Sequence, residues 1–407
     1  MLHALIQDEP HTAPTPVVLF IPSYGDGGVE RNFVFLANGL ANAGYPVTLM
    51  ASADRCVFLE QLHPKVELCR LAGASESDLA AELLAFLTGQ PPAVVMTGQH
   101  RDDCIAMTAK RQLDRGGHRF FISVGTPLSQ QARESHPFWP KRWWYRRRLQ
   151  ALFSRCDGLI ANAQGVARDL TAFLGVTPSR IAVAPNPAVP PDILTRAAAP
   201  VGHPWLSDTA IPVVMAAGRL SRVKDFPTLL EAFARLCAMR RCRLMILGQG
   251  RQRRKLERLA RTLGVASDVE FTGFVDNPYA YLARASVFVV SSLREGGPNV
   301  LIEALACGTP VVATDCPYGP REILEGGRWG ALVPVGDAPA LAEAIDAALC
   351  DPLPGAALKR AAERYSVEQS TRSYLQAFGL LPPSNPAVPA ADTSLPNWVA
   401  NAGGAVR

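Results

Sequence analysis

Two glutamates, eight positions apart, mark the segment of this sequence with the clearest chemical potential. Glu295 opens the run EGGPNVLIE and Glu303 closes it. A glycine pair followed by proline predicts a strand-to-helix turn in which Pro298 is the first helical residue. Backbone amides at the positive end of a helix bind a diphosphate or sugar hydroxyls well. The amides placed there belong to Gly297, Asn299 and Val300.

The two carboxylates suit polyhydroxyl ligands. A carboxylate accepts paired hydrogen bonds from neighbouring hydroxyls, so Glu303 suits a ribose and Glu295 suits a sugar. The alternative is an ordinary strand, loop and helix with a solvated glutamate at each end.

Two cations lie close together on another predicted loop, in the run GRLSRVKD. Arg219 and Lys224 follow an apolar run that predicts a strand. Fixed cations stabilise negative charge that grows on a departing phosphate, which is one use for such a loop. A solvated surface patch is the other interpretation.

A glycine loop, SYGDGG, follows the first predicted strand, and Gly28 lets the backbone approach a phosphate closely.

The elements that carry these residues alternate between short apolar runs and helical patterns, the order typical of parallel α/β sheets. We predict a first Rossmann-like domain over 17–190 and a second over 212–364, facing each other across a central cleft. A proline-rich linker over 191–211 separates them. Ligands bind beyond the carboxyl ends of such strands. A helix over 365–380 is expected to pack back on the first domain.

Outside these domains we expect a flexible N-terminus over 1–16 and a disordered tail over 382–407. The N-terminus lacks the basic and apolar pattern of a secretory signal, and no apolar run is long enough to span a bilayer. The nine cysteines show no metal-binding spacing, and we expect them to be reduced and mostly packed. These features predict a cytoplasmic protein.

The motifs together resemble a known family. EGGPN and EALACGTPVVA around the two glutamates, GRLSRVKD, and the loop SYGDGGVERN look like the signatures of the family-four retaining glycosyltransferases, which have the GT-B fold (glycosyl transferases group 1). The likeness extends from Val17 to about Phe378. It implies transfer of a sugar from a nucleotide-sugar donor with retention of configuration and without a metal or other cofactor.

The resemblance also implies roles for single residues. Arg219 and Lys224 would stabilise the leaving diphosphate, and Glu295 would orient the sugar. Gly28 would approach the donor phosphate from the first domain. Residues implied to bind the rest of the donor are Phe274, Val275, Gly297, Asn299, Val300 and Glu303.

The sequence departs from the family pattern on the acceptor side. The run FISVGTPLSQ has Gly125 where many relatives carry a histidine. His100, on a predicted loop after the strand AVVMTG, is the other candidate for an acceptor contact. The adjacent Asp102 and Asp103 lack the strand context of a metal-binding D-x-D motif, so we expect no metal there.

A cluster of aromatic and basic residues, FWPKRWWYRRR, spans Phe138 to Arg148. On a helix from about Pro140 to Phe153, Trp139, Trp143 and Arg147 share one face. That arrangement suits an anionic lipid headgroup layer on the inner face of the cytoplasmic membrane. The alternative buries the aromatic residues and leaves the arginines solvated. Nucleic acid is not expected as a partner, because no recognition module accompanies the charge.

The expected reaction is transfer of a hexose or N-acetylhexosamine, with UDP as the expected nucleotide, to a glycan or to a polyprenyl-diphosphate or glycolipid acceptor. Such a reaction belongs to polysaccharide or glycoconjugate biosynthesis. Two alternatives use the same donor site. One is a GT-B nucleotide-sugar epimerase, and the other is a non-catalytic nucleotide-sugar-binding protein, which the glycine at position 125 makes conceivable.

Overall fold

The computed structural model describes residues 13–382, apart from 24, 26, 53–57, 114–115, 137 and 209. These residues divide into two compact units. Unit 1 contains the chain up to Pro187 and again from Val367 onward. Unit 2 contains the segment between them, from Ala188 to Ser366. The predicted flexible N-terminus and disordered tail lie outside the described residues, except for 13–16 and Pro382.

Among the described residues of unit 1, seven parallel strands form one sheet in the order β3-β2-β1-β4-β5-β6-β7. Its elements are β1 (Val17–Phe20), α1 (Gly28–Asn42), β2 (Val47–Ala51), β3 (Val66–Arg70), α2 (Glu76–Thr88), β4 (Val94–Thr97), α3 (His100–Lys110), β5 (Arg119–Val124), α4 (Leu128–Ser135), α5 (Trp139–Phe153), β6 (Gly158–Ala161), α6 (Gln164–Leu174) and β7 (Ile181–Val183).

The sheet of unit 1 is covered on both faces because its strands are apolar throughout. Alternate residues of a strand point to opposite faces. Val18 and Phe20 of β1 accordingly belong to one core cluster, and Val17 and Leu19 belong to another. This double burial is typical of a parallel sheet with helices on both sides.

Unit 2 has a six-stranded parallel sheet in its described residues, in the order β10-β9-β8-β11-β12-β13. Its elements are α7 (Ile193–Ala198), α8 (Pro204–Ser207), β8 (Val213–Ala217), α9 (Phe226–Met239), β9 (Arg243–Leu247), α10 (Arg253–Thr262), β10 (Val269–Gly273), α11 (Pro278–Leu282), β11 (Val287–Val290), α12 (Asn299–Cys307), β12 (Val311–Thr314), α13 (Pro320–Ile323), β13 (Ala331–Val333), α14 (Ala338–Cys350) and α15 (Gly355–Ala362).

The segment 191–211, predicted as a linker, instead forms part of unit 2. It contains α7 and α8, and Ile193, Ala197 and Leu206 are buried in the core of that unit. The prolines do not break these helices, because Pro204 occupies the first position of α8, where a missing amide hydrogen costs nothing.

The last described helix, α16 (Val367–Ala377), belongs to unit 1. It packs on α1, where Thr371 fills the space beside Gly39. The ring of Phe378, just beyond α16, meets the ring of Phe121 edge to face at 5.2 Å between centroids. The C-terminal end of the described chain therefore contributes to the core of the first unit.

In each sheet the strand order reverses next to the strand that comes first in the sequence of that unit. The reversal lies between β1 and β4 in unit 1 and between β8 and β11 in unit 2. Ligands of doubly wound folds bind at such reversals, beyond the carboxyl ends of the strands. The predicted site loops follow β1, β4, β5, β8 and β11 and therefore lie at these edges. The prediction of two doubly wound, Rossmann-like α/β units is confirmed.

Candidate functional site

The centre of the candidate site in unit 2 is an ion pair between loops that follow β8 and β11. Lys224 Nζ donates to Glu295 Oε1 at 2.6 Å, and Ser292 Oγ donates to the same oxygen at 2.6 Å. The side chains of Lys224 and Glu295 are 23% and 12% exposed. Among the described residues, the structure gives Glu295 Oε2 no hydrogen-bond partner. One carboxylate oxygen is thus fixed by the protein, and the other is available to a ligand.

Backbone contacts hold the two loops together. Ser291 Oγ donates to the carbonyl oxygen of Lys224 at 2.8 Å, and the amide of Leu293 donates to the carbonyl oxygen of Val223 at 2.8 Å. Thr314, at the end of β12, donates its hydroxyl to the carbonyl oxygen of Ser292 at 2.6 Å. These bonds fix the cation and the carboxylate before any ligand binds, which is the preorganisation that electrostatic catalysis requires.

A third loop, after β12, packs on the glycine turn. Gly319 has φ of 73°, and a side chain there would lie 2.8 Å from Pro298 and 2.9 Å from the carbonyl oxygen of Gly296. The preceding Tyr318 also has a positive φ, of 65°, which costs energy for a residue with a side chain. No sequence pattern predicts this contact, because it joins two segments that share no motif.

The helix after the glycine turn begins one residue later than predicted. Pro298 has ψ of 98° and caps α12, which starts at Asn299. The amide of Leu301 bonds to the carbonyl oxygen of Pro298 at 3.0 Å, so Gly297, Asn299 and Val300 lie at the positive end of the helix as expected. Glu303 lies in the middle of α12 and is only 1% exposed, so a ribose would have to reach a buried carboxylate.

Arg219 is exposed on the loop that follows β8, and the structure shows no ion pair for it within the described residues. The aliphatic part of the Lys224 side chain lies beside Gly218. A Cβ at position 218 would lie 3.1 Å from Lys224 Cε. The next strand ends in Gly248, whose Cα faces the carbonyl oxygen of Gly218. Two glycines therefore let β8 and β9 end close together beneath the cationic loop.

The Gly248→Ala variant is expected to lose about 2 to 4 kcal/mol of unfolding free energy. A Cβ at Gly248 would lie 2.2 Å from the carbonyl oxygen of Gly218, and φ of 124° is strained for alanine. Urea unfolding of the full chain measures the loss. Gly89→Ala is the matched control, because a Cβ there meets no atom within 4 Å and φ is −97°. Equal destabilisation by both variants would contradict the contact.

The predicted nucleobase contacts lie after β10. Phe274 is 46% exposed, and Val275 is half-buried against the core of unit 2. Arg253 Nη2 donates to the carbonyl oxygen of Phe271 at 2.9 Å and so holds the end of that strand. The structure places Phe274 and Val275 at the carboxyl edge, and their role as base contacts stays a prediction.

In unit 1, side chains from the start of α3 hold the glycine loop. Gln99 Nε2 donates to the carbonyl oxygen of Ser23 at 3.1 Å and to Glu30 Oε1 at 2.9 Å. Asp102 Oδ1 accepts from the amide of Ser23 at 3.2 Å. Gly28 is the first residue of α1, so its position depends on this network. Sequence reasoning missed Gln99 and Glu30, although Glu30 stands two positions after Gly28.

Gly27 is the glycine in this loop that cannot be replaced without displacing a neighbour. A Cβ at Gly27 would lie 2.7 Å from Glu30 Oε2, and the carboxylate of Glu30 is 6% exposed. Gly25 and Gly27 therefore both lie close to a buried carboxylate.

His100 is the first residue of α3 rather than a loop residue as predicted. Gln99 takes the capping position, and Asp102 and Asp103 in the first turn favour the helix start through its dipole. Burial, with help from nearby Arg148, lowers the pKa of His100. The imidazole lies beside the ring of Tyr145, at 6.5 Å between centroids, while the residue as a whole keeps an exposed surface.

The aspartates after His100 are buried. Asp103 Oδ1 accepts from Thr97 Oγ1 at 2.5 Å, and burial raises the pKa of Asp103 to about 8. Burial also raises the pKa of Asp102 to about 6. Across the described part of the chain, no three His, Cys, Asp or Glu side chains converge in a way that could hold a metal ion.

Gly125, after β5, is exposed, and its carbonyl oxygen accepts from Asn162 Nδ2 at 3.3 Å. Asn162 directly follows β6 and is 8% exposed. Both residues lie at the carboxyl edge of unit 1, as the prediction for Gly125 requires. Asn162 had no motif to mark it in the sequence.

The helix predicted from about Pro140 to Phe153 is α5, and the aromatic residues at its N-terminal end are exposed. Phe138, Trp139, Trp143 and Trp144 are 68%, 72%, 45% and 64% exposed. The alternative in which these aromatic side chains are buried is therefore wrong. Arg147 lies over the ring of Trp143 at 5.3 Å, so these two residues share a face as predicted. Within the described residues, no helix is long and apolar enough to cross a membrane.

Comparison with known proteins assigns family models to both halves of the chain. Residues 26–189 match the model described as Glycosyltransferase Family 4, and residues 211–351 match the model described as Glycosyl transferases group 1. The first match covers Gly27, Gly28 and α5, and the second covers Arg219, Lys224, Glu295 and Glu303.

Two curated relatives come from Rhizobium meliloti. The lipopolysaccharide core biosynthesis glycosyltransferase LpsE is 40% identical over 179 residues, which are 42% of this chain and 51% of LpsE. The chain thus spans about half the length of that relative. The lipopolysaccharide core biosynthesis glycosyltransferase LpsD is 28% identical over 370 residues, which are 87% of this chain and 95% of LpsD.

Among solved structures, Anabaena HepE in complex with UDP-glucose is similar in fold. The TM-score is 0.73 at 20% identity, and the match covers 90% of this chain and 100% of HepE. The chain is therefore a protein of the GT-B fold, built from two segments that each match a glycosyltransferase domain model.

Proposed function

We propose that this protein is a retaining glycosyltransferase that moves a hexose or N-acetylhexosamine from a UDP-sugar to a lipid-linked or glycan acceptor. The observation that carries the proposal is the contact of Lys224 and Ser292 with one oxygen of Glu295, beside the positive end of α12. A cation, a carboxylate with one available oxygen and a helix N-terminus match a diphosphate joined to a sugar. HepE, of similar fold, was solved with UDP-glucose.

On the donor side, Lys224 and Arg219 stabilise the diphosphate, and Glu295 Oε2 accepts from a sugar hydroxyl. An ammonium group has three N–H donors, so Lys224 keeps its bond to Glu295 and still donates to a phosphate oxygen. Gly297, Asn299 and Val300 place the helix dipole at the phosphates. Glu303 binds the ribose, Phe274 and Val275 contact the base, and Gly28 approaches the phosphate.

The proposed chemistry is attack on the face that the diphosphate leaves. The acceptor hydroxyl oxygen bonds to the anomeric carbon as the bond from that carbon to the phosphate oxygen breaks. The hydroxyl proton passes to the leaving phosphate. Double displacement fits less well, because Lys224 and Ser292 both hold Glu295 Oε1 and weaken that carboxylate as a nucleophile. The charge is balanced by Lys224 and Arg219, and the proposal includes no metal or other cofactor.

The acceptor is proposed to be a glycolipid or polyprenyl diphosphate, reached from the inner face of the cytoplasmic membrane through α5. The names of LpsE and LpsD tie those relatives to lipopolysaccharide core biosynthesis. Exposed tryptophans with arginines between them suit a headgroup layer that holds such an acceptor. His100 and the recess at Gly125 are the proposed acceptor contacts in unit 1.

A thermal-shift screen of the full chain against UDP-, GDP- and ADP-sugars tests the donor. A UDP-sugar at about 100 times its dissociation constant is expected to stabilise the protein by about 2.7 kcal/mol, which raises Tm by a few degrees.

Transfer of the sugar from this donor to octyl glycosides, followed by mass spectrometry, tests the reaction. Conversion of UDP-N-acetylglucosamine alone to an epimer, seen by NMR, would instead identify an epimerase, and a stabilised but inactive protein would be a binding protein.

A further inference from the structure

Asn162 and Gly125 end adjacent parallel strands at the carboxyl edge of unit 1. Asn162 is 8% exposed, and its Nδ2 is used by the carbonyl oxygen of Gly125. Its Oδ1 is buried and has no hydrogen-bond partner among the described residues. Since a buried acceptor without a partner destabilises a protein, such an atom is usually satisfied by a ligand or water.

Space is open beside the amide nitrogen of the same side chain. A Cβ at Gly125 would meet one described atom within 4 Å, Asn162 Nδ2 at 3.6 Å, which is an ordinary contact. Gly125 does not have the positive φ that would demand glycine. Backbone geometry therefore does not explain the glycine, and its missing side chain leaves a recess next to Asn162.

Two more buried polar atoms, on neighbouring side chains, lie along the same edge. Ser23 Oγ follows β1, and Asp102 Oδ2 is in the first turn of α3, after β4. Asp102 is 0% exposed. Carboxylate and amide oxygens accept from hydroxyl or N–H groups, so this edge suits a polyhydroxyl ligand.

We propose that Asn162 and the recess at Gly125 form a subsite for the acceptor sugar, in which Asn162 Oδ1 accepts from a sugar hydroxyl or an N-acetyl N–H. This inference rests on the proposed function, because it assigns the sugar to the acceptor. The recess sets specificity, since it admits a ring substituent that a larger residue at position 125 would exclude.

Saturation-transfer difference NMR tests the subsite without requiring turnover. The probes are the octyl β-glycosides of glucose, galactose and N-acetylglucosamine, mixed with the full chain. Gly125→Leu fills the recess and Asn162→Ala removes the acceptor oxygen, so both are expected to weaken binding of the preferred glycoside about tenfold. Gly89→Leu is the matched control, since a Cβ at Gly89 meets no described atom within 4 Å and φ there is −97°, and it is expected to bind within about twofold of wild type.

The outcomes separate the subsite from the transferase reaction. Wild-type signals from both Gly125→Leu and Asn162→Ala would overturn the subsite, and so would a wild-type protein that binds none of the three glycosides. UDP affinity, measured by calorimetry, is expected to stay within about twofold in all variants, because neither Gly125 nor Asn162 is among the proposed donor contacts. A wild-type protein that binds a glycoside but neither binds UDP-sugars nor transfers sugar would count against the proposed function alone.

Discussion

The Lys224→Ala variant is expected to lose roughly 10²- to 10³-fold in kcat. Its ammonium lies 2.6 Å from Glu295 Oε1 and is 23% exposed, so it is fixed and partly shielded from water. Removing it takes away the cation proposed to stabilise the leaving diphosphate. It also leaves Glu295, which is 12% exposed, without its ion-pair partner. Initial rates of UDP release with the preferred donor and acceptor measure the loss.

Arg222→Ala is the matched control for this experiment. Arg222 belongs to the same short 3-10 turn as Lys224 but is exposed, and no side-chain contact is recorded for it among the described residues. Its kcat is expected to stay within about twofold of wild type, as is usual for a surface substitution. Near-normal turnover by Lys224→Ala, with Tm unchanged, would reject the proposed role of Lys224.

The two-unit fold was predictable because the signal is local and repeated. Each strand is a short apolar run buried on both faces, and each is followed by a helix or turn whose composition marks its limits. Segment 191–211 shows where this fails. Proline spacing suggested a linker, but Pro204 starts a helix and Ile193 is buried in unit 2. Burial of that kind depends on tertiary neighbours that a local pattern does not contain.

The candidate site was predictable where a motif carried it. Glu295 and Lys224 were marked by their surroundings, yet their direct contact joins residues 71 positions apart. Ser292, Gln99 and Asn162 were missed because each acts through a hydrogen bond to a distant segment. Short-range spacing encodes helix faces and turns, and it does not encode which loop ends meet at a sheet edge.

The sequence of α5 does not decide whether its aromatic residues are buried or exposed, and the three-dimensional structure does. Alternating aromatic and basic residues fit either a buried face or a membrane-facing one. In the structure the C-terminal end of α5 enters the core through Leu149 and Phe153, while Trp139 and Trp144 are exposed. A helix attached at one end and exposed at the other suits insertion of indole rings into a headgroup layer.

Charge on α5 would add to the proposed apolar contact with a membrane. Lys141, Arg146, Arg147 and Arg148 are exposed on the same helix. Each cation near an anionic surface contributes about 1 kcal/mol, and the effect weakens with salt. Indole burial is independent of salt to first order, so the two contributions are separable by measurement.

The variant with Trp139→Ala, Trp143→Ala and Trp144→Ala together is expected to bind vesicles about 100-fold more weakly, since burial of each ring contributes on the order of 1 kcal/mol. Cosedimentation of the full chain with vesicles of 70% phosphatidylcholine and 30% phosphatidylserine measures this.

The matched control replaces three exposed apolar residues of unit 2, Leu194, Met239 and Val335, with alanine, and its vesicle binding is expected to equal that of wild type. For wild type, pure phosphatidylcholine vesicles or about 0.5 M salt are expected to reduce binding, because both remove the attraction of the arginines. Equal binding by the tryptophan variant and the control would show that α5 is not the membrane-contacting surface, and the acceptor would then have to be reached from another face of the protein.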